Sequence, residues 1–233
     1  MELQVLDPWG DYETAGYLRN RYQERDLSVV GRLETAAFEQ EVPQVLRVLR
    51  RLPTLTYQHV TDAHEALFTS VYPWAGQDRS VTAPHIAIAK AGYSTLFAHP
   101  HYVQRAAQHA LNLGQDKTYL RKHPGEVFGY LAHAHPFLEG NGRTILTIYS
   151  ELSRRAGFHV EWEAINKTQF IETLTRELLK PGKAIMDELV LPYVRLGVLS
   201  MDVTASRLRV NFKREQGTSP TDPKADDVGT LEQ

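Results

Sequence analysis

Within nine consecutive residues, His135-Pro136-Phe137-Leu138-Glu139-Gly140-Asn141-Gly142-Arg143, the chain sets a base, a carboxylate, a glycine-rich amide loop and a cation. That set suits phosphate chemistry. His135 is the candidate general base, because an imidazole titrates near neutrality and can take a proton from an attacking hydroxyl. Glu139 is a hard oxygen ligand of the kind that holds Mg²⁺ together with phosphate oxygens. Gly140, Asn141 and Gly142 open backbone conformations in which successive N–H groups converge on an anion, with the Asn141 side chain as a further amide. Arg143 offers a fork of donors to phosphate. Each residue also has a plain structural reading: a cap for His135, a solvated carboxylate for Glu139, a tight turn for Gly-Asn-Gly, a partner for some acid for Arg143. Phe137 is read as an anchor beneath the loop.

The elements that must position these residues are mostly helical. The segment from Arg143 to Ala156 reads as a helix, so the loop sits at a positive helix N-terminus, where phosphate is favoured. Helical spacing also marks Val42 to Leu49, His59 to Phe68 with Thr61 and Asp62 as caps, Tyr102 to Leu113, Gly125 to Ala134 and Glu161 to Leu179. Lys183 to Leu199 reads as a helix divided at Pro192. Between Arg79 and Lys90 the β-formers Val81, Ile86 and Ile88 and the turn Ala91-Gly92 read as a two-stranded flap. The expected fold is mainly α with one β-hairpin flap over the site, as one domain over 1–212 followed by a polar, disordered tail over 213–233.

With 26 basic and 28 acidic residues, bulk charge marks no nucleic-acid binder. Arg47, Arg50, Arg51, Arg154 and Arg155 read as solvated helix faces and helix C-terminal partners. The absence of cysteine excludes disulfides and thiolate metal sites. No signal peptide and no membrane span is visible, so the expectation is a cytoplasmic protein.

At the nine-residue loop the chain resembles the Fic family, whose signature is His-x-Phe-x-(Asp/Glu)-Gly-Asn-Gly-Arg-x-x-Arg. The chain matches it everywhere but the last position, where Leu146 stands. Val71-Tyr72-Pro73-Trp74-Ala75-Gly76 and Phe97-Ala98-His99-Pro100 look like the family's segments on either side of its flap, and the resemblance spans roughly residues 7 to 200. It implies a Fic-type helical bundle and a protein adenylyltransferase, moving AMP from ATP onto a Ser, Thr or Tyr hydroxyl of a target protein with release of pyrophosphate. In that scheme His135 is the base and Glu139 the Mg²⁺ ligand, while Gly140, Asn141, Gly142 and Arg143 cradle the phosphates. The flap at Ile86, Ala87 and Ile88 pairs with the target, and Lys90 reaches the site from the flap's end.

Leu146 leaves alternatives open. In the family the final arginine contacts nucleotide phosphates and pairs with an inhibitory glutamate. Doc-type kinases of the same superfamily have leucine there, but carry Ala-Asn-Lys in place of Gly-Asn-Gly. Phosphate transfer, transfer from another nucleotide, and an inactive nucleotide- or partner-binding scaffold therefore stand beside AMP transfer. A histidine metal centre built on His133 and His135 or on His99 and His101 is a further rival. The self-inhibitory pattern (Ser/Thr)-x-x-x-Glu-(Gly/Asn) has its nearest match at Thr35 to Gln40, which ends in the wrong residue, with Glu39 read as solvent-facing. Control by a separate antitoxin-like partner, or no restraint of this kind, is the expectation. Export as an effector into a host cell is the alternative to a cytoplasmic place. Among the tyrosines, Tyr72, Tyr93 and Tyr149 are candidates to stack on the base.

Overall fold

The computed structural model describes residues 17–85 and 96–213. Its helices are α1 (Leu27–Arg51), α2 (Tyr57–Phe68), the single turn α3 (Arg79–Thr82), α4 (Val103–Gln115), α5 (Lys117–Lys122), α6 (Pro124–Ala134), α7 (Asn141–Ala156), α8 (Lys167–Leu179), α9 (Ile185–Val190) and α10 (Met201–Lys213). Two short strands, β1 (Phe158–Val160) and β2 (Val194–Leu196), pair antiparallel with Phe158 opposite Leu196.

The helix that begins in the nine-residue loop is the hub. α7 touches α1, α2, α4, α5, α6, α10 and β1. Its apolar residues Ile145, Ile148, Tyr149, Leu152 and Ala156 are buried, and so are the polar residues Thr144, Thr147, Glu151 and Ser153. Those polar groups are satisfied within the helix: the Thr144 and Thr147 hydroxyls donate to carbonyls one turn back, at 3.0 and 2.8 Å. Glu151 pairs with Arg154 and Arg155, both at 2.7 Å. Arg155 in turn donates to the carbonyls of Leu49 and Leu52 at the end of α1, at 2.9 and 2.7 Å. Arg155 thus closes the end of α1. Leu146 is half-buried and packs on the main core.

Several boundaries differ from the sequence reading for identifiable reasons. α1 begins fifteen residues before Val42, because the Asp26 carboxylate accepts the Ser28 and Val29 N–H groups and caps it. α2 is entered through Thr56, whose N–H donates to His59 Nδ1 at 2.9 Å, and Thr61 and Asp62 lie inside it. Asp78 caps α3 by accepting the Ser80 N–H at 2.8 Å. Residues 79–82 therefore form a helical turn where the first strand of the flap was expected, the cap outweighing the β-preference of Val81. The observed strand pair lies elsewhere: β1 falls between two segments read as helices, and β2 falls inside Lys183 to Leu199, read as a divided helix, with Pro192 ending the helical turns before it. Ile86, Ala87, Ile88 and Lys90 lie outside the described residues, as do Tyr93 and the tail from 214 onward. Glu39 is half-buried on α1, where a solvent-facing side chain was expected.

Pro43 stands inside α1. Lacking an N–H, it leaves the carbonyl of Glu39, one turn back, without its helical donor. Arg209 of α10 supplies the replacement, its Nε donating to the Glu39 carbonyl at 2.9 Å. Arg209→Ala is expected to cost about 1–2 kcal/mol in urea unfolding, and clearly less in a Pro43→Ala background, where the helix regains its own N–H. Equal costs in both backgrounds would contradict this pairing.

Candidate functional site

The site is a loop between two helices, and both ends are bent on purpose. His135 ends α6 in the left-handed region, at φ 37° and ψ 59°, and Gly140 begins α7 in the same region, at φ 78°. For His135 that conformation costs about 1–2 kcal/mol, so the surroundings must enforce it. Arg79 does so. Fully buried, it donates through Nε to the His135 carbonyl at 2.7 Å and through Nη2 to the Ala98 carbonyl at 2.6 Å, while its own N–H donates to the Pro136 carbonyl at 2.7 Å. The half-buried His135 imidazole stacks on Phe97, with ring centres 3.9 Å apart. Phe97 is itself pinned, because His133 Nδ1 donates to the Leu96 carbonyl at 2.9 Å and the Ala98 N–H donates to the His133 carbonyl at 2.8 Å.

Inside the loop, Phe137 is fully buried and stacks on His64 of α2 at 3.7 Å. Asn141 spans the loop from within: its Nδ2 donates to the Phe137 carbonyl at 2.7 Å and its Oδ1 accepts the Phe137 N–H at 2.9 Å. Its side chain is thus spent on holding the loop, where a donor aimed at the phosphate was expected. What Asn141 and Gly142 offer outward is backbone: they are the first residues of α7, whose leading N–H groups have no capping side chain. Gly140 is obligatory, since a Cβ there would stand 2.6 Å from the Phe68 ring. A Cβ on Gly142 would meet nothing within 4 Å, so the space over the helix start is open.

The Glu139 side chain is about half exposed, at 48%. Its Oε1 accepts the Gly140 N–H at 2.8 Å. A hard, solvent-facing carboxylate beside a helix N-terminus fits a Mg²⁺ shared with phosphate oxygens. Arg143 faces the other way. It is buried, lies over the Phe68 ring at 4.8 Å, bonds Glu34 of α1 at 2.7 Å and stands 3.6 Å from Glu139. Burial disfavours its charge, but the Glu34 and Glu139 carboxylates outweigh that and hold its pKa above the ordinary value. Tyr72 donates its hydroxyl to the same Glu34. Tyr72 and Tyr149 are both buried in the core, the latter bonding the Pro124 carbonyl at 2.8 Å, and neither is placed to stack on a ligand.

Beside Phe97 opens a groove of about 560 Å³, lined by Phe97, His99, Tyr102, Arg105, Tyr130 and His133. A second cavity, of about 40 Å³, sits near the far end of α7 and is too small for a nucleotide. Among the described residues, the only cluster close enough to share a metal is His123, Glu126 and Asp187, at the opposite end of α6 from His135. Its Asp187 already accepts the Gly125 and Glu126 N–H groups at 2.6 and 3.0 Å and meets His123 Nδ1 at 2.9 Å, which caps α6. The histidine pairs of the metal-centre rival do not form such a cluster.

Sequence reasoning missed His64, Arg79, Glu34 and the groove tyrosines. A signal existed for two of them. His64 lies one turn from Val60 and Phe68, and Glu34 one turn from Val30 and Phe38, so each places a polar group on a buried apolar stripe. His64 Nε2–H donates to the Glu139 carbonyl at 3.0 Å and its Nδ1 accepts the Gly76 N–H at 2.9 Å.

Residues 54–152 match the Fic/DOC family. The chain is 29% identical over 169 residues to protein adenylyltransferase VbhT of Bartonella schoenbuchensis, covering 70% of this chain and 34% of that protein. It is 28% identical over 177 residues to probable protein adenylyltransferase y4lH of Sinorhizobium fredii, covering 71% and 85%. The chain thus spans about a third of the first relative and most of the second. These relatives are named as nucleotidyl-transferring enzymes. In fold it is similar to the BepC effector of Bartonella tribocorum, solved with bound AMPPNP, with TM-score 0.61 and 21% identity over 79% of this chain and 95% of that one. It is equally similar to an N-terminal Fic domain from Bartonella quintana, solved with bound ADP, with TM-score 0.62 and 22% identity over 82% and 96%.

Burial holds the His64 pKa down, at about 3, against an ordinary value of about 6.5. Between these values only the unfolded chain binds the proton, so this ring's contribution is present above pH 6.5 and is lost as pH falls. At pH 5 the loss amounts to about 2 kcal/mol. Urea unfolding at pH 7.5 and 5.0 is expected to show that much less acid sensitivity in His64→Gln than in wild type, and equal sensitivity would contradict the assignment.

Proposed function

We propose, for a chain that belongs to the Fic/DOC family through residues 54–152, that it is a protein adenylyltransferase transferring AMP from ATP to a hydroxyl of a target protein. The observation that carries this reading is a base and a row of helix-start N–H groups presented by one rigid loop, beside a groove of nucleotide size. The names of its relatives support it, as do the nucleotides bound in its structural neighbours.

The triphosphate lies against the N-terminus of α7, where the N–H groups of Asn141 and Gly142 bind anionic oxygens, while that of Gly140 holds the Glu139 carboxylate. Its nucleoside runs into the groove beside Phe97, with Tyr102 and Tyr130 as its aromatic walls. Glu139 would hold Mg²⁺, which when bound neutralises phosphate charge. His135 takes the proton of the target hydroxyl as that oxygen bonds to the α-phosphorus and the bond to the bridging oxygen breaks, so that pyrophosphate leaves. Backbone donors aimed at the phosphoryl oxygens favour charge that grows in the transition state. Arg143 acts through Glu34 and Glu139, fixing the first turn of α7 to α1. Ile86, Ala87, Ile88 and Lys90 keep the role that the resemblance gives them, docking the target and reaching the phosphates.

Leu146 favours one second reading, transfer of the γ-phosphate. Against it stands Gly142, whose open face in this chain replaces the lysine of the kinase branch. Leu146 also leaves an inhibitory glutamate no arginine to pair with, which favours control by a separate antitoxin-like protein. No helix among the described residues is long and apolar enough to cross a membrane. Either a cytoplasmic place or export as an effector is compatible with this reading.

Two labelling reactions in lysate with Mg²⁺ test it, one with ATP labelled at the α-phosphate and one at the γ-phosphate. Label on protein from the α-position alone is expected, falling by at least about 100-fold in His135→Ala. Label from the γ-position alone would establish the kinase reading, and nucleotide binding without transfer would establish an inactive scaffold.

A further inference from the structure

Two fully buried polar residues outside the nine-residue loop, Arg79 and His64, hold its two ends by its backbone. Arg79 collects two successive carbonyls, those of His135 and Pro136, and so fixes the backbone where it leaves the left-handed residue His135. That conformation turns the imidazole onto Phe97. At the other end His64 holds the Glu139 carbonyl inward. In a trans peptide the N–H points opposite to the C=O, so the Gly140 N–H is turned outward. There it donates to the Glu139 carboxylate at 2.8 Å and fixes its direction. One chain of contacts therefore runs from a buried imidazole to the carboxylate assigned to Mg²⁺, and another from a buried guanidinium to the base.

We propose that Arg79 and His64 are separate positioning residues for the reaction, Arg79 setting the base and His64 setting the metal-binding carboxylate. The proposal rests on the adenylyltransferase reading. A buried arginine and histidine that merely satisfy the core would, when lost, lower stability and all kinetic constants together. Positioning residues acting on different ends of the loop lower different constants.

The test compares Arg79→Met and His64→Phe, each checked for melting temperature, in transfer of α-labelled AMP. In Arg79→Met, kcat is expected to fall at least about tenfold, with the Mg²⁺ concentration for half-maximal rate within about twofold of wild type. In His64→Phe, that Mg²⁺ concentration is expected to rise about tenfold, with a smaller loss of kcat at saturating Mg²⁺. If either variant fails to fold, Arg79→Lys and His64→Leu replace it, and His64→Gln serves as the conservative rescue. Lysine keeps the charge but not the fork, so the kcat defect is expected to persist; glutamine keeps one donor and one acceptor, so Mg²⁺ dependence is expected to return to that of wild type. Two readouts need no turnover. Binding of Mn²⁺ with α,β-methylene-ATP is expected to weaken in the His64 variant alone, and the His135 imidazole nitrogen resonances to move in the Arg79 variant alone. If wild type transfers nothing, the adenylyltransferase reading fails while these two readouts still decide the positioning roles. Parallel losses of kcat and Mg²⁺ dependence in both variants, or no change in either, would overturn the proposal.

Discussion

A loop that offers its N–H groups to an anion must turn its carbonyls away, and carbonyls turned into a protein interior need donors. Everything around residues 135–143 answers that requirement. The His135 and Pro136 carbonyls go to Arg79, that of Phe137 to the Asn141 amide, and that of Glu139 to His64. The Gly140 carbonyl accepts the first helical N–H of α7, from Thr144, at 3.0 Å. With the acceptors satisfied inside, the donors at the helix start are left facing out, where the macrodipole adds its own attraction for phosphate.

The donors must themselves be immobile, and the hub position of α7 provides that. Its core residues are packed by helices from both halves of the chain, and Arg155 ties its last turn to the end of α1. At its first turn, Arg143 is clamped between Glu34 and the Phe68 ring. An arginine so placed serves the loop as a buried cross-link, and the ion pair is tolerable there because Glu34 also receives the Tyr72 hydroxyl. Removal of either charge would strand the other.

The helices that carry strong 3.6-residue periodicity were legible in the sequence, and so was the loop, because its chemistry is concentrated in adjacent residues. Less legible was whatever depends on partners distant in sequence. Asn141 reads as a phosphate donor until Phe137, four residues back, is seen to occupy both ends of its amide. Arg143 reads as a phosphate fork until Glu34, 109 residues away, is found beside it. The turn at Arg79–Thr82 was hidden because Asp78 caps it, an effect of one side chain that outweighs the local β-preference. Arg79 and His64 act through backbone carbonyls, and no residue pattern within the loop announces them.

The proposed function requires a preformed phosphate site at the start of α7. Amide hydrogen exchange at Asn141 to Arg143, with and without Mg²⁺ and α,β-methylene-ATP, reads its occupancy. The nucleotide is expected to slow exchange at these amides and to leave the interior of α1 unchanged. Nucleotide binding that leaves the Asn141 to Arg143 amides exchanging as before would rule the phosphate site out.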